Sequence, residues 1–124
     1  MTVDRRRSVG ARGEQLAAEH LERRGFTIVE RNFRTRWGEL DIIACDGAAL
    51  VFCEVKTLRG VPGTHDPLEA VRSGKQVRLR RMAAQWLAAR SERPRARELR
   101  FDAIGVRLAA SGRLLELNHL ERAF

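Results

Sequence analysis

Only two cysteines and two lysines occur in this sequence, and no long apolar run interrupts it. Cys45 and Cys53 sit in apolar, strand-like sequence, where a thiol serves as a small buried hydrophobe and needs no disulfide partner. Histidine and cysteine nowhere form a closely spaced set, which removes a zinc site. The basic segment Asp4-Arg5-Arg6-Arg7 is not followed by a long apolar stretch, so neither a signal peptide nor a membrane span is expected, and the expected location is cytoplasmic.

What the chain does have is positive charge. Lys and Arg total 24 against 16 acidic residues, a formal net charge of +8, which favours a polyanionic partner, nucleic acid in particular. Lysine is so scarce beside arginine that an ammonium at Lys56 reads as chosen for its compact point charge. A length of 124 residues suits a single domain, with residues 1–8 expected as a flexible basic arm, either resting on phosphates or simply solvated.

The informative pattern lies in two short strings, Gly38-Glu39-Leu40-Asp41 and Cys53-Glu54-Val55-Lys56. They place carboxylates and a lysine in otherwise apolar, strand-like sequence, where charge is costly unless used or paired. The runs Trp37 to Cys45 and Leu50 to Lys56 are separated by the turn-forming Asp46-Gly47-Ala48-Ala49, which predicts an antiparallel hairpin. With 46–49 as the loop, Cys45 faces Leu50, Asp41 faces Glu54 and Glu39 faces Lys56, so all these charges share one patch. Leu40, Ile42, Ala44, Val51, Cys53 and Val55 then line one side, and Ile43, Cys45, Leu50 and Phe52 the other, as in a strand pair covered on both faces.

Directly opposed side chains have Cβ atoms roughly 5 Å apart. Two carboxylates at that distance resist joint ionisation. A hard divalent cation, Mg²⁺ or Mn²⁺, removes the conflict and suits oxygen ligands. The alternative is a buried ion pair between Lys56 and a carboxylate that serves only the fold.

The surrounding elements follow from caps and periodicity. Ser8 is placed to cap a helix that runs to about Arg24 and stops at Gly25, with Ala11, Leu16, Ala17 and Leu21 on its apolar face. Gly10 and Gly13 flank Glu14, and their small size would let the helix approach the hairpin closely. Phe26 to Val29 is a strand that leads through Asn32 and Phe33 to Arg34-Thr35-Arg36-Trp37. These arginines either grip phosphate while the indole stacks on a base, or shield a half-buried Trp37. Leu58 to Pro67, with three glycines or prolines before its final proline, is expected as a loop carrying His65. Ser73-Gly74-Lys75-Gln76 fits a capping box for a helix to about Ala89, with Val77, Leu79, Met82, Ala83, Trp86 and Leu87 inward and Arg78, Arg80 and Arg81 elsewhere. Leu99 to Val106 and Leu114 to Leu120 are two further strands, joined through Ser111-Gly112, and no spacing brings their Asp102 or His119 to the patch. This order gives an α/β domain with a mixed central β-sheet flanked by helices.

An acidic residue on a first helix, then Asp, then Glu-x-Lys on the next strand resembles the PD-(D/E)xK nuclease superfamily, at Glu14, Asp41, Glu54 and Lys56. More closely, Gly13-Glu14, Gly38-Glu39-Leu40-Asp41, Glu54-Val55-Lys56 and the helix around Lys75 resemble the YraN-like family of small bacterial proteins, from about Gly10 through Leu87. That family is similar in layout to archaeal Holliday junction resolvases. Leu40 stands where the superfamily's name has proline. The resemblance implies a restriction-endonuclease-like fold and a metal-dependent endonuclease of DNA repair or recombination. It implies Mg²⁺ or Mn²⁺ on Asp41, Glu54, the Val55 carbonyl and Glu14, with Lys56 orienting the attacking water and Glu39, Lys75 and Gln76 in support. Arg34, Arg36, Trp37 and Arg59 would contact nucleic acid, most simply DNA, and relatives that cut junctions act as homodimers. The competing expectation is a nucleic-acid-binding module that keeps the nuclease fold without turnover, as a partner in recombination or DNA uptake.

Overall fold

The computed structural model describes residues 5–60 and 76–123, with side chains from Val9 to Gly60 and from Val77 to Ala123. Among them, helix α1 (Arg5–Arg23) is followed by strands β1 (Thr27–Thr35), β2 (Gly38–Cys45) and β3 (Ala49–Arg59), helix α2 (Gln76–Ala89), and strands β4 (Glu98–Leu108) and β5 (Leu114–Leu120). The strands form one sheet in the order β1-β2-β3-β4-β5. Neighbours are antiparallel except β3 and β4, which run parallel, so the sheet is mixed, as expected. A parallel pair needs a crossover, and α2 lies within it. None of the described helices is long and apolar enough to cross a membrane.

Helix α1 begins at Arg5, ahead of the Ser8 cap expected for it, so Arg5 to Arg7 continue the helix backbone instead of belonging to a flexible arm. Its end matches expectation. Gly25 adopts φ 92°, its N–H donates to the Glu22 carbonyl at 3.0 Å, and the Phe26 N–H donates to the Leu21 carbonyl at 3.0 Å. This paired closure satisfies the last carbonyls of the helix, and Leu21 packs with Phe26 across it.

Helix α1 lays Leu16, Ala17, Ala18 and Leu21 on one face of the sheet, against Ile42, Ala44, Val51, Cys53, Ile104 and Val106. Ala11, expected inward, is exposed. Helix α2 covers the other face with Leu79, Met82, Ala83 and Trp86, against Ile43, Leu50, Phe52 and Phe101. Val77, expected on that stripe, is exposed instead. Trp86 is fully buried, lies edge-on to Phe52, and donates its indole N–H to Glu30 on β1 at 3.1 Å. Removing a side chain so placed costs about 3–5 kcal/mol.

The β2–β3 hairpin has the expected register, with Cys45 opposite Leu50 and Ile42 opposite Cys53. Asp46 organises its turn by accepting the N–H groups of Ala48 and Ala49 at 2.9 and 2.8 Å. One residue departs from the expected faces. Leu40 joins Ile43 in the α2 layer, although strict alternation would place it with Ile42 in the α1 layer. The sides therefore switch around Asp41. At its far end β3 continues as strand through Leu58 and Arg59, where a loop was expected. Residues 61–75, which carry the rest of that loop, His65, Lys75 and most of the capping box, lie outside the described residues, as does the Gln76 side chain.

Candidate metal centre

The side switch at Asp41 coincides with the place where β2 and β3 part. The β2–β3 ladder ends at Ile42↔Cys53, and the next backbone donor on the β2 side of β3, the Val55 N–H, is taken by the Asp41 carboxylate at 2.8 Å. On its other flank, the β1–β2 ladder passes from Arg31↔Ile42 to Phe33↔Leu40, and Asn32 between them adopts a left-handed backbone, φ 57°. Asparagine tolerates that conformation better than most residues.

Helix α1 brings Glu14 down onto this opening. Gly13 makes the approach possible, since a Cβ added there would lie 1.8 Å from Thr57 Oγ1 on β3. Gly10 has no such role, because a Cβ added there would meet nothing within 4 Å among the described residues. Glu14, Glu39 and Asp41, all half-buried, then bring carboxylate oxygens within 4.8 Å of one another. Asn32 binds two of them. With its amide nitrogen facing the acids it donates to Glu14 Oε2 at 2.9 Å and to Glu39 Oε1 at 2.6 Å.

This arrangement revises the sequence reading. The hairpin does not pair Glu39 with Lys56, because the ladder has already ended, and Glu39 turns to Glu14, Asp41, Asn32 and, at 3.5 Å, Arg34. Glu39 is therefore a full member of the acidic group. Glu54 borders it but is not within the close trio, and its Oε1 lies 3.5 Å from Arg78 of α2. Arg78, expected to face elsewhere, thus reaches the site. Among the described residues Lys56 has no ion-pair partner, so the purely structural pairing considered for it is not formed.

Electrostatics follow from the crowding. Asp41 is pushed up to about 7, first by burial and then by the neighbouring charges of Glu14, Glu54 and Glu39, with the Val55 N–H opposing. Glu14 is also raised, by burial and then by Glu39, while Arg31 and the Asn32 amide work the other way. A group of carboxylates whose pKa values are raised by burial and mutual repulsion is one that a divalent cation would relieve, and its oxygen donors suit Mg²⁺ or Mn²⁺. Glu14, Glu39 and Asp41 are the residues placed to hold such an ion together, with Glu54 and the Val55 backbone at the border.

The expected nucleic-acid contacts lie at different places. Arg34 is on β1 and paired with Glu39, and Arg36 sits 4.5 Å from the ring centre of Trp37, which is itself half-buried against the α2 layer. That is the shielded arrangement of the two considered for this indole. Arg59, at the end of β3, is exposed and donates to the Ala110 carbonyl at 3.1 Å.

Asp102 and His119 stay away from the carboxylates, as the spacing implied, and build a second polar network. Fully buried Asp102 accepts both ends of the Arg100 guanidinium at 3.0 Å, His119 Nε2 at 2.7 Å and the Arg122 N–H at 3.1 Å. His119 Nδ1 continues to His20 Nε2 at 3.0 Å, which ties α1 to β5. Burial raises the Asp102 carboxyl, but these donors together outweigh it and hold the group below its ordinary range. Every oxygen is committed to the fold, so this network reads as structural.

Two residues of the centre, Asn32 and Arg78, were missed. The signal for Asn32 was available, an asparagine in the middle of a β-branched and aromatic strand, where its type is disfavoured. Arg78 carried no signal, because its role depends on where α2 lands.

Comparison with known proteins finds relatives that match this chain over most of its length. It is 48% identical over 117 residues to a UPF0102 protein of Mycobacterium marinum, covering 93% of each chain. It is 43% identical over 117 residues to one of Rhodococcus jostii, covering 94% of this chain and 96% of that one. It is 55% identical over 86 residues to one of Acidothermus cellulolyticus, covering 69% of this chain and 64% of that one. The model of the family described as "Uncharacterised protein family UPF0102" matches residues 13–106, a span that holds every member of the acidic group, and the chain belongs to that family.

Proposed function

We propose that this protein is a metal-dependent endonuclease that hydrolyses phosphodiester bonds in structured DNA, with a restriction-endonuclease-like fold and a resolvase-like role in repair or recombination. The observation that carries the reading is the acidic group where β2 and β3 part, with Lys56, which makes no ion pair among the described residues, on the adjoining strand segment. Bound there, Mg²⁺ or Mn²⁺ would supply a water of lowered pKa and offset charge on the scissile phosphate. Glu14, Glu39 and Asp41 would hold the ion, and Glu54 would add negative charge from the β3 side. Asn32 fixes the orientation of two of these carboxylates. Lys56 sets a point charge beside the phosphate, where charge builds in the transition state. The net charge of +8 draws the DNA backbone in with little base readout, so binding weakens steeply with salt.

The test is incubation of the protein with labelled four-way junction, flap, single-stranded and duplex DNA in Mn²⁺, Mg²⁺ or EDTA, beside Asp41→Ala with Glu54→Ala. Cleavage that requires metal and disappears in the double variant, with DNA binding kept, supports the proposal. Salt-sensitive binding with no cleavage of any substrate would transfer the reading to the non-catalytic module.

A further inference from the structure

Beside the acidic group, between α1 and the end of β3, lies a cavity of about 510 Å³ lined by Val9, Gly10, Glu14, Val55, Lys56 and Arg59, among others. Its size falls in the range that holds a small ligand. Its walls divide by chemistry. Val9 and Val55 are apolar and pack against the α1-side core, Lys56 and Arg59 are cationic, and Glu14 is shared with the proposed metal centre.

Gly10 adds an independent observation. Glycine within a helix is destabilising by roughly 1 kcal/mol relative to alanine. At Gly13 close packing against Thr57 explains it, but at Gly10 an added Cβ would touch nothing among the described residues. Gly10 is itself one of the residues that line the cavity. Arg59, held by the Ala110 carbonyl, keeps a positive charge at the rim, and Arg12, donating to the Gly112 carbonyl at 3.4 Å, lies along the same side.

We propose that this cavity is a subsite for one unpaired nucleotide, its base between Val9, Gly10 and Val55 and its phosphates on Lys56 and Arg59. This rests on the nuclease reading for its placement beside the metal centre. A base pair in a stacked duplex does not enter a cavity of this size, whereas a single-stranded, flapped or extruded nucleotide does. The substrate class that follows is DNA with unpaired nucleotides at the cut.

The decisive variant is Gly10→Leu, which adds an apolar side chain at the cavity wall where an added Cβ has room and replaces a helical glycine, so its melting temperature should match or exceed that of the parent. Expected is a loss on the order of tenfold in affinity for single-stranded DNA, measured in EDTA, which is the loss of about one base contact. If the parent cleaves DNA, the same loss should appear in cleavage of single strands and flaps. Unaltered single-strand binding by a folded Gly10→Leu overturns the subsite while leaving nuclease activity to stand. Loss of binding in Gly10→Leu, beside a parent that binds but cuts nothing, keeps the subsite and overturns the nuclease. A second measurement needs only the parent protein: 2-aminopurine within a single strand should brighten on binding as it leaves its neighbours, and an unchanged signal at saturation overturns the subsite.

Discussion

The Asp41 carboxylate accepts the Val55 N–H at 2.8 Å, so a side chain of β2 takes the place of a backbone partner where the two strands separate. One oxygen of Asp41 is thereby anchored to β3. The group is at once a structural clamp and the centre of a crowded set of acids.

Asp41→Asn should separate these roles. The amide can keep an acceptor toward Val55 but holds no charge among Glu14, Glu39 and Glu54. Without metal at pH 8, the variant should melt higher than the parent, by roughly 4–8 °C for about 1 kcal/mol at this size. Added Mn²⁺ should stabilise the parent and leave the variant unmoved. A variant that melts lower than the parent would show that the charge itself is needed by the fold.

The dependence on pH follows from the same residue. Folding raises Asp41 from 3.8 to about 7, so the native state binds a proton more tightly than the unfolded chain. Its contribution to stability is full below about 3.8 and is lost as pH climbs toward 7. A divalent cation must displace that proton, so Mn²⁺ affinity should rise between pH 6 and pH 8 with proton uptake by the buffer, measurable by calorimetry in buffers of different ionisation enthalpy. Affinity independent of pH across this window would remove Asp41 from the ligands.

Gly13→Ala should be damaging for reasons of space alone. The new methyl would fall 1.8 Å from Thr57 Oγ1, and α1 must move away from β3 or Thr57 must shift. A loss of about 1–3 kcal/mol is expected, together with weaker metal binding as Glu14 withdraws. Thr57→Ala in the same chain should restore part of both. Gly10→Leu, three residues away on the same helix, should cost no stability, and this contrast is read by paired thermal melts.

Lys56→Ala should leave stability within about 0.5 kcal/mol, because among the described residues the ammonium makes no ion pair to lose. If the proposed chemistry holds, cleavage should fall by about 10²–10³, the scale set by removing one group that stabilises transition-state charge. DNA binding should change far less. Equal losses in binding and cleavage would make Lys56 a phosphate anchor only.

The hairpin was readable because two constraints agreed: a turn of defined length and a period-two apolar pattern that tolerates only one register. Reading failed where regular geometry stopped. Period two places Leu40 beside Ile42, but the left-handed Asn32 and the clamp at Asp41 break the alternation, and that break is what gathers Glu39 with Glu14. The pairing of Glu39 with Lys56 came from extending a ladder beyond the point where it ends. Arg78 and the link from His20 through His119 to Asp102 depend on elements far apart in sequence, and no local spacing records them.

The sheet's pairing also divides the proposed centre between two strand pairs. β3 is laced to β4 along its whole length, from Ala49 to Arg59, and β2 is laced to β1 up to Gly38, while the backbone ladder between β2 and β3 runs only from Cys45 to Ile42. Glu39 and Asp41 ride on one pair, Glu54 and Lys56 on the other. The seam between them is closed by side chains, the Asp41 carboxylate on the Val55 N–H among them, and an ion held by Glu14, Glu39 and Asp41 would add a second tie at the same place.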